Sequence, residues 1–424
     1  MSICHGLVHA YMLVFPTIYA SLGSSLNLKF SGVGFIGMAS YMAFGFGALP
    51  AGFLADKVGA RRLLLLCVAG TTLSSVVAFI AREPATVVAA LILMGLSASL
   101  YHPSGLSLLS VSIKKDLGKA LGIHGTAGTV GEAGAPLLAG ILTARFGWSY
   151  SYLALGALGT VVLVLLHFVF KRTAPAASGP AAAGERGTAA GGQGTAAGDA
   201  HGASTGQAGR KFDIRMLGGD LAVIYGMGVL YGLTYRVLMT FFPSYLSERV
   251  AYIGGDVKRL GAVSSGIMVI SLIGPLVGGY LASTRSAIER NLLVIFSLLA
   301  ATSVGFYFLS GPGLVLVAIP SVFLIFCFQP LQNVLLARAS HAGIRGRVYG
   351  INYAASAGIG AAAAGIGGVF GERFGVESVF LLMFGLCVAE IVLIAVSRDI
   401  RLRKGGGLAG ESGAVPAEIA KMGT

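Results

Sequence analysis

The 424-residue chain reads as an all-α polytopic membrane protein, twelve transmembrane helices in two pseudo-symmetric six-helix bundles. Three observations predict this: an apolar composition, twelve apolar stretches of spanning length, and an internal repeat that relates the first six to the last six.

Composition comes first. Hydrophobic residues make up 55% of the chain and charged residues 11%, which excludes an ordinary soluble domain and makes the lipid bilayer the expected surroundings. The net charge of +13 does not indicate nucleic acid, because Lys and Arg fall in short runs between apolar stretches and not along one polar face. Cys4, Cys67, Cys327 and Cys387 lie inside apolar stretches without paired or metal-ligand spacing, so no disulfide framework and no zinc site is expected. The first basic residue is Lys29, so the N-terminus lacks the charged region of a cleavable signal, and the first apolar segment is expected to remain as a helix.

Crossing the hydrocarbon core takes about 20 apolar residues. Stretches of that kind occupy 2–22, 32–55, 63–81, 85–112, 120–144 and 148–170, and again 217–246, 260–282, 291–309, 313–337, 346–370 and 376–396. Between the sets lies an Ala/Gly/Ser/Thr-rich segment that lacks hydrophobic periodicity and is expected to be a flexible, water-exposed linker. The expected organisation is a bundle over 1–171, the linker over 172–215, a bundle over 216–397 and a tail over 398–424. One alternate set of connections, with the linker and tail, holds 22 of the 30 Lys and Arg. The positive-inside rule then places both termini and the linker in the cytoplasm, with the protein in the inner membrane.

The repeat is visible as a nearly constant offset. A shift of 227 residues lays Pro16 on Pro243, Gly52-Phe53-Leu54-Ala55 on Gly279-Tyr280-Leu281-Ala282, and His102-Pro103 on Gln329-Pro330. A shift of 228 then lays Gly118-Lys119 on Gly346-Arg347, Gly122 on Gly350, and Arg145-Phe146-Gly147 on Arg373-Phe374-Gly375. Two six-helix units of one ancestry explain this register. The repeat aligns Met1 with Gly228, well inside helix seven, so helix one is expected to be truncated or to begin upstream of Met1.

The segment Gly52-Phe53-Leu54-Ala55-Asp56-Lys57-Val58-Gly59-Ala60-Arg61-Arg62 resembles the G-x-L-A-D-R/K-x-G-R-R/K loop of the major facilitator superfamily. The resemblance implies a cytoplasmic gate motif formed by Gly52, Asp56, Lys57, Gly59, Arg61 and Arg62. Gly52 is expected to permit close helix packing, and Asp56 to face the positive N-terminus of helix eleven near Gly346. The second-half copy has Ser283 and Thr284 in place of the charges, so the latch is expected on one side only. Helix five carries Gly122, Gly131, Ala135-Pro136 and Ala139-Gly140, similar to the Gly/Pro-rich pattern of proton-exchanging exporters, with two of that pattern's glycines replaced by alanine. With Tyr101-His102-Pro103-Ser104-Gly105 and with His5, His9 and Pro16 of helix one, the chain resembles the fosmidomycin-resistance branch. It departs from many drug exporters in lacking an intramembrane Arg in helix four, where Leu91 stands near the expected place.

In the fold that this resemblance implies, helices one, four, seven and ten line a central cavity, and the candidate substrate-binding residues fall there: His9, His102, Tyr235, Arg236, Gln329 and Asn333. Under the repeat, His9 corresponds to Arg236 and His102 to Gln329, so the four are expected to face one another. An Arg at a helix centre costs roughly 2.5–3.5 kcal/mol on insertion scales, so Arg236 needs either an anionic substrate group or an internal partner. His9 and His102 read equally as packing histidines or as proton and substrate ligands. Without a third ligand at metal spacing, no metal is expected at His5, His9 and His102, and no cofactor. Glu132 shares one helical stripe with His124 and Gly128, and it reads either as a proton-coupling pair with His124 or as a neutral Glu hydrogen-bonded to another helix. Glu390 reads as snorkelling or structural, on a face turned outward.

These features predict a monomeric secondary active transporter that moves a small, anionic organic solute by alternating access, with protons as coupling ion and export as direction. The alternatives are an importer of an organic anion and a permease-derived sensor or assembly protein. An enzyme is not expected, since no nucleophile stands beside the intramembrane His and Glu and the linker glycines lack P-loop spacing.

Overall fold

A computed structural model describes residues 2–102, 104–105, 117–172, 219–283, 288–339 and 345–403. They form twelve helices: α1 (Ser2–Ser25), α2 (Phe30–Val58), α3 (Ala60–Ile80), α4 (Pro84–Ser99), α5 (Leu117–Phe146), α6 (Ser149–Arg172), α7 (Asp220–Arg249), α8 (from Val257 to Ser283), α9 (Ile288–Phe308), α10 (Gly311–Ala339), α11 (from Arg345 to Phe374) and α12 (Ser378–Arg403). Ten are long and apolar enough to cross a membrane. The exceptions are α4, whose helix four was expected to run to residue 112, beyond the described residues, and the glycine-rich α5. The expected linker also lies outside the described residues.

Two helices depart from a single regular rod. In α8 a 3-10 turn over Ile270–Leu272 separates Val257–Val269 from Gly274–Ser283, just before Pro275, whose ring removes a backbone donor. In α11 a π-helical turn, Ala354–Ile359, sits where α2 and α7 both approach it. The repeat survives in the turns: Gly147 between α5 and α6 has φ 100° and Gly375 between α11 and α12 has φ 88°, a conformation that costs glycine little.

Lipid is as apolar as leucine, so helices associate here through small residues that let backbones meet. In the first six helices α1 packs on α5, α2 on α4 and α3 on α6, and the repeat-related pairs α7–α11, α8–α10 and α9–α12 pack in the last six. Gly6 of α1 meets the backbone at Ala127 and Gly131 of α5, and Gly232 of α7 meets Ser356 of α11. The two sextets touch through α2–α11, at Gly34 against Ala364 and Gly45 against Gly358, and through α5–α8, at Gly140 against Gly261.

These contacts favour one end. Near the short connections Tyr19 and Phe30 pack on Phe241 with ring centroids 5.9 and 5.6 Å apart, and Glu372 accepts from Ser31 and pairs with Lys29 at 3.5 Å. Toward the end carrying the chain termini, positions for a Cβ on Gly52, Gly125 and Gly350 meet nothing within 4 Å among the described residues. The expected packing of Gly52 against another helix is not seen among the described residues, and the side chains that flank it at 53 and 55–57 lie outside them.

Glu390 departs from the outward face expected of it and takes the structural reading. Phe380, Met383, Cys387, Glu390 and Ile394 form one stripe of α12 that is fully buried, because this face packs on α7 and α9. Both carboxylate oxygens of Glu390 are buried without a hydrogen-bond partner, so it does not snorkel.

Helix five makes the packing rule testable. A Cβ on Gly131 lands on the Gly6 backbone, which cannot rotate away, whereas one on Gly134 meets open space. Gly131→Ala is expected to lower stability by about 1–3 kcal/mol. Gly134→Ala is expected to leave it unchanged or raise it slightly. Thermal midpoints in detergent decide the comparison.

Candidate functional site

The first cluster is built by α1, α5 and the helical turn after α4. His5 and His9 lie one turn apart on α1, and the space for the His5 ring is made by Gly128, where a Cβ would come within 2.6 Å of it. The His5 ring stacks on His124 at 4.4 Å and on Tyr101 at 5.2 Å. His9 Nε2 is 3.1 Å from His5 Nε2, and His9 Nδ1 is 2.8 Å from Glu132 Oε1.

Donor and acceptor types constrain the protons here. His5 Nδ1 is 2.8 Å from the His124 carbonyl, which can only accept, so His5 donates from Nδ1. The contact between the two Nε2 atoms then needs one proton between them, and the His9–Glu132 contact needs another. Three arrangements satisfy both: a His5 imidazolium with Glu132 ionised, a His9 imidazolium with Glu132 ionised, or two neutral imidazoles with Glu132 protonated. All three hold one proton more than neutral imidazoles and a carboxylate, and they differ only in where it sits. Glu132 is buried, and its Oε2 has no partner.

His124 belongs to the same network, its Nε2 lying 3.2 Å from the Tyr101 hydroxyl. His102 stands against it, with ring centroids 5.5 Å from His5 and 5.7 Å from His9, and its buried Nε2 has no partner among the described residues. The fold thus supplies the third imidazole that sequence spacing did not offer: the ligating nitrogens of His5, His9 and His102 lie within 4.8 Å of one another.

The second feature is Arg236 on α7. It is 6% exposed, and its guanidinium carbon lies 3.4 Å from the centroid of Tyr41 on α2, in the other sextet. A desolvated cation over an aromatic face gains about 2 kcal/mol or more, which offsets part of its burial. One guanidinium nitrogen is buried without a hydrogen-bond partner, and among the described residues no carboxylate pairs with Arg236. Tyr231, Tyr235 and Tyr353 lie within electrostatic reach of both Arg236 and Glu132, so the cation and the acid share one interior region.

The expected four-way meeting is only partly present. His9 and His102 come together, but Arg236 meets Tyr41, and His102 faces Tyr353 at 5.0 Å and Phe44 at 6.0 Å. Tyr235 packs on Phe326, while Gln329 and Asn333 are exposed on α10. The buried amide of α10 is instead Gln332, which exchanges hydrogen bonds with Asn352 of α11 at 3.0 and 3.3 Å. Sequence reasoning missed Tyr41 and Tyr353, aromatics unmarked by charge or motif. In the gate motif, α2 ends at Val58, Gly59 turns with φ 87°, and α3 begins at Ala60 with exposed Arg61 and Arg62. The side chains of Asp56 and Lys57 lie outside the described residues.

Two repeated six-helix sets enclose a polar interior that holds the histidine cluster, Glu132 and Arg236. Residues 1–365 match the family model described as Major Facilitator Superfamily, and the chain belongs to that family. It is 31% identical over 143 residues to the multidrug resistance protein B homolog of Mycobacterium tuberculosis, covering 33% of this chain and 26% of that protein. It is 24% identical over 155 residues to the methylenomycin A resistance protein of Bacillus subtilis, covering 36% and 33%. These matches span only about a quarter to a third of those relatives' length. Among solved structures, a bacterial homolog of the human lysosomal transporter Spinster, inward-facing and occupied, superposes with a TM-score of 0.71 at 12% identity, covering 95% of this chain and 96% of that one. A mutant of the nucleoside transporter NupG gives 0.65 at 15% identity, covering 93% and 98%. At such identities the likeness shows the fold alone.

Proposed function

We propose that the chain is a proton-coupled exporter of a small organic solute carrying an anionic group, working by alternating access in the inner membrane. The observation that carries this reading is Arg236: a buried guanidinium with no carboxylate partner among the described residues, held on Tyr41 of the opposite sextet. A carboxylate or phosphonate completes such a group through two parallel hydrogen bonds. The one-proton cluster at His5, His9 and Glu132 supports protons as the coupling ion, and the resistance-type relatives support export. The moving units are the bundles over 1–171 and 216–397, acting as a monomer. With both termini in the cytoplasm, the end that carries them is the cytoplasmic side, and Asp56 latches that side in the outward-open conformation.

The test is transport by purified protein in proteoliposomes under pH gradients of either sign, with a panel of organic anions and their neutral analogues. Anion movement driven against the proton gradient is expected. Movement in the same direction as protons indicates an importer, and absence of flux for every solute removes the transport reading.

A further inference from the structure

We propose that a groove between α3 and α6 is a binding site for one phospholipid with an anionic headgroup. The observation begins with small residues. Near the middle of α6, Gly156 approaches Ser75 and Gly159 approaches Thr72 of α3, so the two helices are in tight contact there. Toward the end carrying the termini, the residues become large and the helices part. The opening is a groove of about 750 Å³, lined by Arg62, Leu66 and Ala69 on one side and Leu163, Val164 and His167 on the other.

Chemistry is graded along this groove. Arg62 and His167 stand at its outer end, and Ala69 lies seven residues deeper than Arg62, about 10 Å at 1.5 Å per residue. Leu66 and Val164 are 52% and 48% exposed, presenting an apolar surface of the right depth for the upper part of an acyl chain. The charged residues of the two helices that form the groove have one sign. Arg61 and Arg62 open α3, His167 and Lys171 lie near the end of α6, and neither helix contains Asp or Glu. The Arg61 guanidinium is held across the helix pair, 5.6 Å from the Phe170 ring of α6. A cationic rim above an apolar trough, at the level where a membrane helix leaves the hydrocarbon, fits a phosphate headgroup with net negative charge and its chain below. The site faces away from the α2–α11 and α5–α8 contacts, so it is separate from the solute path.

The test uses the purified full chain, stripped of lipid in detergent, with phosphatidylglycerol, phosphatidylcholine or glycerol phosphate added. Phosphatidylglycerol is expected to raise the thermal midpoint saturably, with little effect from the other two. Arg61→Gln with Arg62→Gln is expected to weaken the phosphatidylglycerol effect roughly 25-fold, at about fivefold per cation removed, with each protein referred to its own midpoint in phosphatidylcholine. Val164→Phe, at a lipid-facing position that tolerates bulk, fills the trough and is expected to remove the effect with every cation in place. Equal stabilisation by both lipids, or a phosphatidylglycerol preference that survives Val164→Phe, overturns the proposal. Stabilisation by glycerol phosphate alone also overturns it, by assigning the rim to a soluble anion.

Discussion

Arg236→Ala is expected to fold and insert while losing anion binding by at least about 30-fold, the effect of removing ~2 kcal/mol or more of buried charged contact. The reasoning starts from the cost of the residue. A guanidinium that is 6% exposed and lacks a carboxylate partner keeps unspent hydrogen-bonding capacity, which an entering anion satisfies. Arg236→Lys keeps the charge but loses both the planar fork and the flat face that lies on Tyr41, so it is expected to bind weakly, between the parent and the alanine variant. Binding is read from ligand-induced thermal stabilisation with a carboxylate or phosphonate solute that the parent protein transports. Neutral isosteres of that solute are expected to bind the parent no better than they bind Arg236→Ala. Normal transport by Arg236→Ala removes the substrate role, and failure of both variants to fold assigns Arg236 to the α2–α7 contact.

What the sequence shows of this protein follows from how local each signal is. Helix number and placement were legible because a bilayer imposes length and composition on every span. Even the 228-residue shift that pairs Gly147 with Gly375 returns as two turns of matching backbone conformation. Burial of Glu390 was not legible, because the inward stripe from Phe380 to Ile394 is set by α7 and α9, whose positions do not appear in the periodicity of an all-apolar helix. The same limit applied at the site. His5 and His9 were visible as an i, i+4 pair, but the approach of His102 depends on how α4 crosses α1. Under the repeat His9 was paired with Arg236, yet in space Arg236 reaches Tyr41. Pseudo-symmetry relates backbones, and side chains of different length and charge find partners off the axis.

Glu132→Gln is expected to reduce pH-driven accumulation to the level seen without a gradient, while solute binding and counterflow continue. The cluster explains why these properties separate. Glu132 Oε1 lies 2.8 Å from His9 Nδ1, and an amide at this place still bonds the imidazole, so α1 and α5 stay joined. What the amide cannot do is release a proton. With Glu132 ionisable, the extra proton can sit on His5, His9 or the carboxyl group, and its departure leaves a contact unmade: either the two Nε2 lone pairs face each other at 3.1 Å, or His9 Nδ1 faces a carboxylate. Loss of the proton therefore loosens α1 against α5, the helix that also carries the Gly140 contact to α8 of the other sextet. On the proposed reading, deprotonation is thereby linked to the contact that the two sextets remake in alternating access. His9→Gln removes the bridging imidazole and is expected to uncouple in the same way, whereas His124→Gln, which keeps the carbonyl that accepts from His5, is expected to retain coupling in part. Counterflow and pH-driven uptake into everted vesicles, measured on the same preparations, distinguish the outcomes. Proton-driven transport that survives Glu132→Gln places the coupling site outside this cluster.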